Sequence, residues 1–457
     1  MKFIFADSID TVDPGYDFIR DRNAEGRTAH WDDQYPHEIL DRPPYDGILV
    51  SRHILGGKSG SGKYSRAQAM RFRRSGARKF LRLDTPQFRN FPIFGDCGAF
   101  AYHKEDRPPY TPDEMVEFYD DAGFTHGCSV DHIIFDFDEK PTGLKGGSEE
   151  ARRRFDITLE NAARFLKVSK RLSKRFTPLG VIQGWSPASM AHAAKRLRKM
   201  GYSYLALGGT VPLKTDQIKA CLCAIRDVIP PKTKLHILGF AKADDIEGFR
   251  SFGITSFDTT SPLIRAFKDG KANYYLPGPP GKGLNYYTAI RVPQALENPK
   301  LMNLVKRGIV NQERLVKLEK SAMTALRAYD RDEVSLDEAL QKTLSYATLV
   351  TLGAPAEALP GSKSAAELRA RYYRTLRDRP WKRCSCAICR KIGIEVIIFR
   401  ASNRNKRRGI HNLGIYKRVV DGISKKTEVG EAAPDLFSDT GRAKPVPHDS
   451  VLRCEGG

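Results

Sequence analysis

Eight short apolar runs, spread through the first 260 residues and separated mostly by helix signals, constrain this chain more than any other feature. They occupy residues 3–7, 47–51, 92–96, 127–131, 179–183, 204–208, 235–239 and 254–258. Thr111-Pro112-Asp113-Glu114 supplies a cap, a first-turn proline and acidic residues ahead of an amphipathic run, and Ser186-Pro187 does the same before residues 188–200. Residues 148–176 read as a longer helix rich in paired charges. Strand alternating with helix in this way predicts an α/β fold, a (β/α)8 barrel over residues 1–275.

Several of these runs end on a side chain that can do chemistry. Asp96 closes the third, Asp131 the fourth and Gln183 the fifth, while Ile254-Thr255-Ser256-Phe257 leads into Asp258 and then into the polar Thr259-Thr260-Ser261-Pro262. A carboxylate where a strand gives way to a loop is costly for stability, but that end of a parallel barrel is where catalytic groups gather. The pattern predicts an enzyme.

Charge narrows the partner. Lys and Arg number 76 against 54 Asp and Glu, and a formal charge of +22 favours a polyanion, with nucleic acid the leading candidate. No apolar stretch approaches the roughly 20 residues that span a bilayer. The amino-terminal Met1-Lys2-Phe3-Ile4-Phe5-Ala6 is broken by Asp7 and reads as a first strand rather than a signal peptide, so a cytoplasmic location is expected.

Beyond residue 270 the pattern changes. Gly278-Pro279-Pro280-Gly281-Lys282-Gly283 is a breaker cluster, and a helical insertion is expected over residues 297–378. Residues 380–423 should form a metal-binding element that completes the barrel domain, with a short strand at 394–399 and a basic loop at 404–408. Residues 424–457 are polar and aperiodic and read as a disordered tail.

The eight cysteines do not form the framework of a small disulfide-rich domain. Cys384, Cys386 and Cys389 cluster, and His411 follows; three thiolates and one imidazole make a closed tetrahedral set, predicting one structural zinc ion per chain. Cys221-Leu222-Cys223 falls in a predicted helix with no nearby histidine and reads as buried small hydrophobes. Gly57-Lys58-Ser59-Gly60-Ser61-Gly62-Lys63-Tyr64 imitates a phosphate-binding loop, but Tyr64 stands where a magnesium ligand is needed, so a flexible basic loop is the better reading. Lys58, Lys63, Arg66, Arg73 and Arg74, together with Arg404, Lys406, Arg407 and Arg408, are the candidates for gripping a phosphate backbone.

The ordered motifs Asp96-Cys97-Gly98-Ala99-Phe100, Gln183-Gly184, Gly208-Gly209, Phe257-Asp258 to Pro262, and Cys384, Cys386, Cys389 with His411-Asn412-Leu413 resemble those of the tRNA-guanine transglycosylases. The resemblance covers residues 90–265 and 380–420 and implies a barrel with a structural zinc and no redox cofactor. Phe3-Ile4-Phe5-Ala6-Asp7, the Gly56-Gly57 to Lys63-Tyr64 stretch, the Cys97 form of the first loop, and Ser129-Val130-Asp131-His132 are similar to one branch, the DNA 7-deazaguanine transglycosylases. That branch exchanges guanine in DNA for a 7-deazaguanine base, and 7-cyano-7-deazaguanine (preQ0) is the first expectation for this chain.

The resemblance implies that Asp258 is the nucleophile at the anomeric carbon and Asp96 the general acid and base. It implies that Asp131 accepts from the amino and imino groups of the base, that Gln183 and the backbone N–H of Gly209 donate to its carbonyl oxygen, and that Gly208 belongs to the same base-binding set. Phe100 and Leu238 fall where the family sandwiches the ring. Ala101 and Cys97 depart from the glutamine and serine of the tRNA enzymes, which leaves contacts to the base edge and its seven-position substituent open. The implied partners are DNA, the free 7-deazaguanine base and, within a DNA-modification system of a bacterium or its virus, a partner ATPase. Exchange on tRNA and a non-catalytic zinc-stabilised nucleic-acid-binding subunit are the alternatives.

Overall fold

Eight parallel strands close into a barrel in chain order, each pairing with its sequence neighbour and the last returning to the first. This computed structural model describes residues 1–56, 63–279 and 283–431. The strands are β1 (Lys2–Ala6), β2 (Gly47–Ser51), β3 (Ile93–Asp96), β4 (His126–Cys128), β5 (Thr177–Ile182), β6 (Tyr204–Leu207), β7 (Lys234–Ile237) and β8 (Ser256–Asp258). All eight expected strands are present, several shorter than the apolar run that announced them. In β4 the strand ends at Cys128, which leaves Asp131 three positions out in the following loop.

Alternation along the strands divides the core in two. Ile4, Leu49, Phe94, Cys128, Leu179, Val181, Tyr204 and Ala206 fill the barrel interior, while Phe3, Ile48, Ile93, Leu205, Leu235 and Phe257 belong to a larger outer core beneath the helices. At β8 this period places Phe257 outward, stacked on Phe3 at 5.6 Å, and turns Asp258 inward. Thr111 caps the helix Pro112–Asp121 and Ser186 caps Pro187–Met200, as their sequences predict. The helix Thr215–Val228 buries Cys221 among apolar neighbours.

Between β1 and β2 the chain forms no long helix, and the face it leaves is covered by the helix Ser402–Glu431. Tyr416 on that helix packs edge-on against Phe3 at 5.2 Å and against Phe257 at 6.3 Å. Tyr416 of the carboxy-terminal helix therefore lies on the outer face of β1 and β8. A second apolar core joins the helices Pro299–Lys306, Gln312–Asp330, Leu336–Leu352 and Lys363–Asp378 to the cysteine segment.

Two expectations in this region are corrected. Residues 393–397 form a 3-10 turn, and only Ile398–Phe399 is a strand. The supposed basic loop is the first two turns of the helix Ser402–Glu431, and its cations point inward. Arg404 and Arg408 are 0% exposed and Arg407 is 5% exposed. Arg404 donates to Glu395 at 2.7 Å and also pairs with Asp21, Arg407 donates to Asn403 and to the carbonyl of Asp13, and Arg408 donates to the carbonyls of Ala266, Val396 and Ile398. Lys406 is half-buried, its Nζ donating to the carbonyls of Ile9 and Thr11. These four cations pin the irregular segment after β1 and the 393–399 strip to the helix, and the three arginines among them are turned away from solvent.

The helix also reaches Glu431, past the start of the expected tail; residues 432–457 lie outside the described residues, as does Lys58 in the imitation phosphate-binding loop. No helix of the described residues is long and apolar enough to cross a membrane.

Candidate active site

The carboxyl ends of the strands surround a cavity of about 340 Å³. Asp96, Asp131, Gln183, Gly208, Gly209, Phe100, Leu238 and Asp258 all line it, so residues spread over 163 positions of sequence meet in one place. Lys63 lines it too, and Arg66, Arg73 and Arg74 are exposed on the helix Arg66–Phe80 that follows.

Asp258 ends β8 and is buried against β7. Its Oδ1 accepts from the backbone N–H of Gly239 at 3.0 Å and from Nε2 of His236 at 3.1 Å. Asp96 ends β3, and its Oδ2 accepts from the backbone N–H of Gly98 at 3.1 Å. Burial, reinforced by the negative charges of Asp131 and Asp258, pushes its carboxyl up to about 7. A carboxyl at that value can give and take a proton near neutrality.

Asp131 is held from both sides. Its Oδ2 accepts from Nε2 of Gln183 at 2.7 Å and its Oδ1 from the Cys97 thiol at 3.1 Å, while burial raises its carboxyl. Gln183 is fixed in turn, because its Oε1 accepts from the N–H of Ile134 at 3.2 Å. Gly208 makes room for this arrangement: a Cβ there would stand 2.3 Å from Nε2 of Gln183. Gly98 is required on other grounds, with φ at +85° and a Cβ that would meet the Cβ of His53 at 2.6 Å. Phe100 is 59% exposed where it lines the cavity, edge-on to Phe135 at 6.1 Å, and Leu238 lines the cavity directly after β7.

The sequence reading missed several groups here. Asp7 is a fourth carboxylate on the cavity wall, and Tyr64 donates to its Oδ2 at 2.6 Å. Burial pushes Asp7 up to about 6. The residue that spoils the phosphate-loop motif thus serves the barrel mouth. His236 was missed as well, although alternation within His236-Ile237-Leu238 puts an imidazole on the inward face beside Leu238.

A second cluster joins Cys384, Cys386, Cys389 and His411, whose candidate ligand atoms lie within 4.8 Å of one another. The three sulfurs stand 3.6, 3.4 and 3.4 Å from Nδ1 of His411. Nε2 of His411 hydrogen-bonds the carbonyl of Tyr275 at 2.7 Å, which leaves Nδ1 as the ligand nitrogen, and the Tyr274 ring stacks on the imidazole at 4.2 Å. This set can hold a metal ion. Cys386 borders the segment around Tyr45 and Asp46 that leads into β2, at the opposite end of the barrel from the carboxylates.

No protein-family model matches this chain. A curated DNA-guanine transglycosylase from Salmonella montevideo is 44% identical to it over 432 residues, which cover 94% of this chain and 99% of that protein. With that identity over nearly the whole of both chains, on a closed parallel barrel with its carboxylates at the mouth, the chain belongs to the DNA-guanine transglycosylase family.

Proposed function

We propose that this chain exchanges guanine in DNA for a 7-deazaguanine base, 7-cyano-7-deazaguanine in the first instance, through a covalent intermediate on Asp258. The observation that carries this reading is the convergence of Asp96, Asp131 and Asp258 on one cavity, with Asp96 pushed up to about 7. Oδ1 of Asp258 is occupied by two N–H donors, so Oδ2 is the oxygen those donors leave for attack. As its bond to the anomeric carbon forms, the glycosidic bond breaks and its electron pair leaves with guanine, which takes the proton of Asp96. The incoming base then gives its proton to the Asp96 carboxylate while its nitrogen attacks the anomeric carbon, and Asp258 is released. Two displacements restore the original stereochemistry.

Asp131, held by Gln183 and Cys97, faces the amino and imino groups of the base, and the second Nε2 hydrogen of Gln183 and the N–H of Gly209 face its carbonyl. Phe100 and Leu238 flank the ring. Lys63, Arg66, Arg73 and Arg74 meet the phosphate backbone beside the mouth, and a target within a duplex is flipped out to reach the cavity.

The Cys3His cluster holds structural zinc. A tetrahedral zinc ion spaces a sulfur and a nitrogen ligand about 3.6 Å apart, which matches the 3.4–3.6 Å separations seen. Four protein ligands leave no position for substrate.

Mass spectrometry of nucleosides from DNA and from tRNA, in cells with and without the gene, tests the function. A 7-deazaguanine deoxynucleoside that depends on the gene supports it; a change confined to tRNA overturns it.

A further inference from the structure

Inside the barrel, beneath Asp258, a line of polar side chains runs where packing alone calls for hydrocarbon. Tyr204 on β6, His236 on β7 and Ser256 on β8 are 3%, 0% and 1% exposed. The Tyr204 hydroxyl lies 2.6 Å from Oγ of Ser256, Oγ lies 2.6 Å from Nδ1 of His236, and Nε2 of His236 lies 3.1 Å from Oδ1 of Asp258. Strand register sets this up, since His236 pairs with Ser256 across β7 and β8, and Asp258 follows two residues later on the same face. The His236 ring is further clamped by Phe94, stacked at 5.2 Å and 24°.

Chemistry fixes the direction of the chain. A carboxylate only accepts, so Nε2 must carry the hydrogen, and in the neutral ring Nδ1 is then an acceptor for the Ser256 hydroxyl, whose oxygen accepts from Tyr204. Every polar atom along the line has a partner. Buried networks of this kind are costly when incomplete and stiff when complete.

We propose that His236 is a positioning residue for Asp258, locked by Ser256 and Tyr204 in its Nε2–H form so that it holds Oδ1 and turns Oδ2 toward the anomeric carbon. It transfers no proton. The bond that forms is Asp258 Oδ2 to the anomeric carbon, the bond that breaks is the glycosidic bond, and the proton exchanged belongs to Asp96. This rests on Asp258 being the nucleophile.

The test is exchange of labelled guanine into unmodified DNA by the full-length protein, with kcat and KM measured separately and folding followed by Tm. His236→Phe keeps a ring against Phe94 but removes the donor, so kcat should fall about 10–100-fold, as for other outer partners that orient a reacting group, with KM within about threefold. His236→Gln, which restores an N–H toward Oδ1, should recover much of that loss. Ser256→Ala keeps the ring and frees its tautomer, so it should lower kcat at a temperature where it is folded even if His236→Phe folds poorly, with a modest fall in Tm because Tyr204 and Nδ1 lose their partner. A folded His236→Phe with kcat within about twofold of the parent overturns the proposal, as does a Gln variant no better than Phe when both fold. Asp258→Asn separates the two levels. If it is inactive while His236→Phe is normal, only the role of His236 fails; if it exchanges base normally, the nucleophile assignment fails and this proposal with it.

Discussion

Nε2 of Gln183 donates to Oδ2 of Asp131 across 2.7 Å, and the absence of a side chain at Gly208 is what lets the amide stand there. The carboxylate proposed to read the base is therefore aimed before any base arrives.

Gly208→Ala tests this. A Cβ would sit 2.3 Å from Nε2 of Gln183, and because that atom is the end of a side chain the amide can swing away without unfolding the barrel. Tm should change little, while affinity for the free 7-deazaguanine base falls about tenfold, the equivalent of one lost hydrogen bond near 1.4 kcal/mol. Calorimetric titration with the free base checks it; unchanged affinity would remove Gln183 from the recognition of the base.

The Asp96 carboxyl is pushed from its ordinary 3.8 up to about 7 by burial first and by Asp131 and Asp258 second. Between those values the folded state keeps a proton that the unfolded chain has released, so this group lowers stability progressively as pH rises from about 4 to 7. Asp96→Asn should raise Tm more at pH 8 than at pH 5, with exchange abolished at both. Equal shifts at the two values would show that Asp96 is not held protonated.

The buried and exposed arginines separate stability from DNA binding. Arg404→Ala removes the cation shared by Asp21 and Glu395, which keep Arg400 and Arg327 as partners, and should cost about 1–3 kcal/mol of stability, with the salt dependence of DNA binding unchanged. Arg74→Ala should leave Tm alone and reduce the slope of log affinity against log salt by about 1. Denaturant melts and filter binding across a salt series distinguish them; a loss of DNA affinity from a folded Arg404→Ala protein would reverse the assignment.

These arginines also show where sequence stops informing. The strands were legible because an apolar run bounded by breakers has one reading in an alternating chain, and Asp96, Asp131 and Asp258 stood out because a carboxylate closing or shortly following such a run is expensive anywhere but at a barrel mouth. Arg404 and Arg408 carry the same charge whether they face DNA or carbonyls, and only the packing of their helix against the segment after β1, the 393–399 strip and Ala266 decides. His236 was hidden by its strand, where one imidazole among apolar neighbours does not disclose that Ser256 lies beside it on the next strand. Tyr64 looked like a damaged phosphate-binding motif, and its partner Asp7 is 57 residues away.

For the Cys3His cluster, Cys386→Ala opens the coordination set and removes the sulfur that accepts from the N–H of Cys389. Zinc content, measured by atomic emission, should fall from about one per chain together with Tm, and activity should fall as a consequence. A variant that keeps its zinc would refute the ligand set.

The nucleophile is tested most directly by intact-protein mass spectrometry after an acid quench of enzyme mixed with guanine-containing DNA. The unaltered protein should gain the mass of the DNA strand less the guanine that departs, peptide mapping should place the ester on Asp258, and Asp258→Asn should show no adduct, normal folding and exchange at least about a thousandfold slower. An Asp258→Asn protein that still forms the adduct, or that exchanges base near the parent rate, would contradict the mechanism.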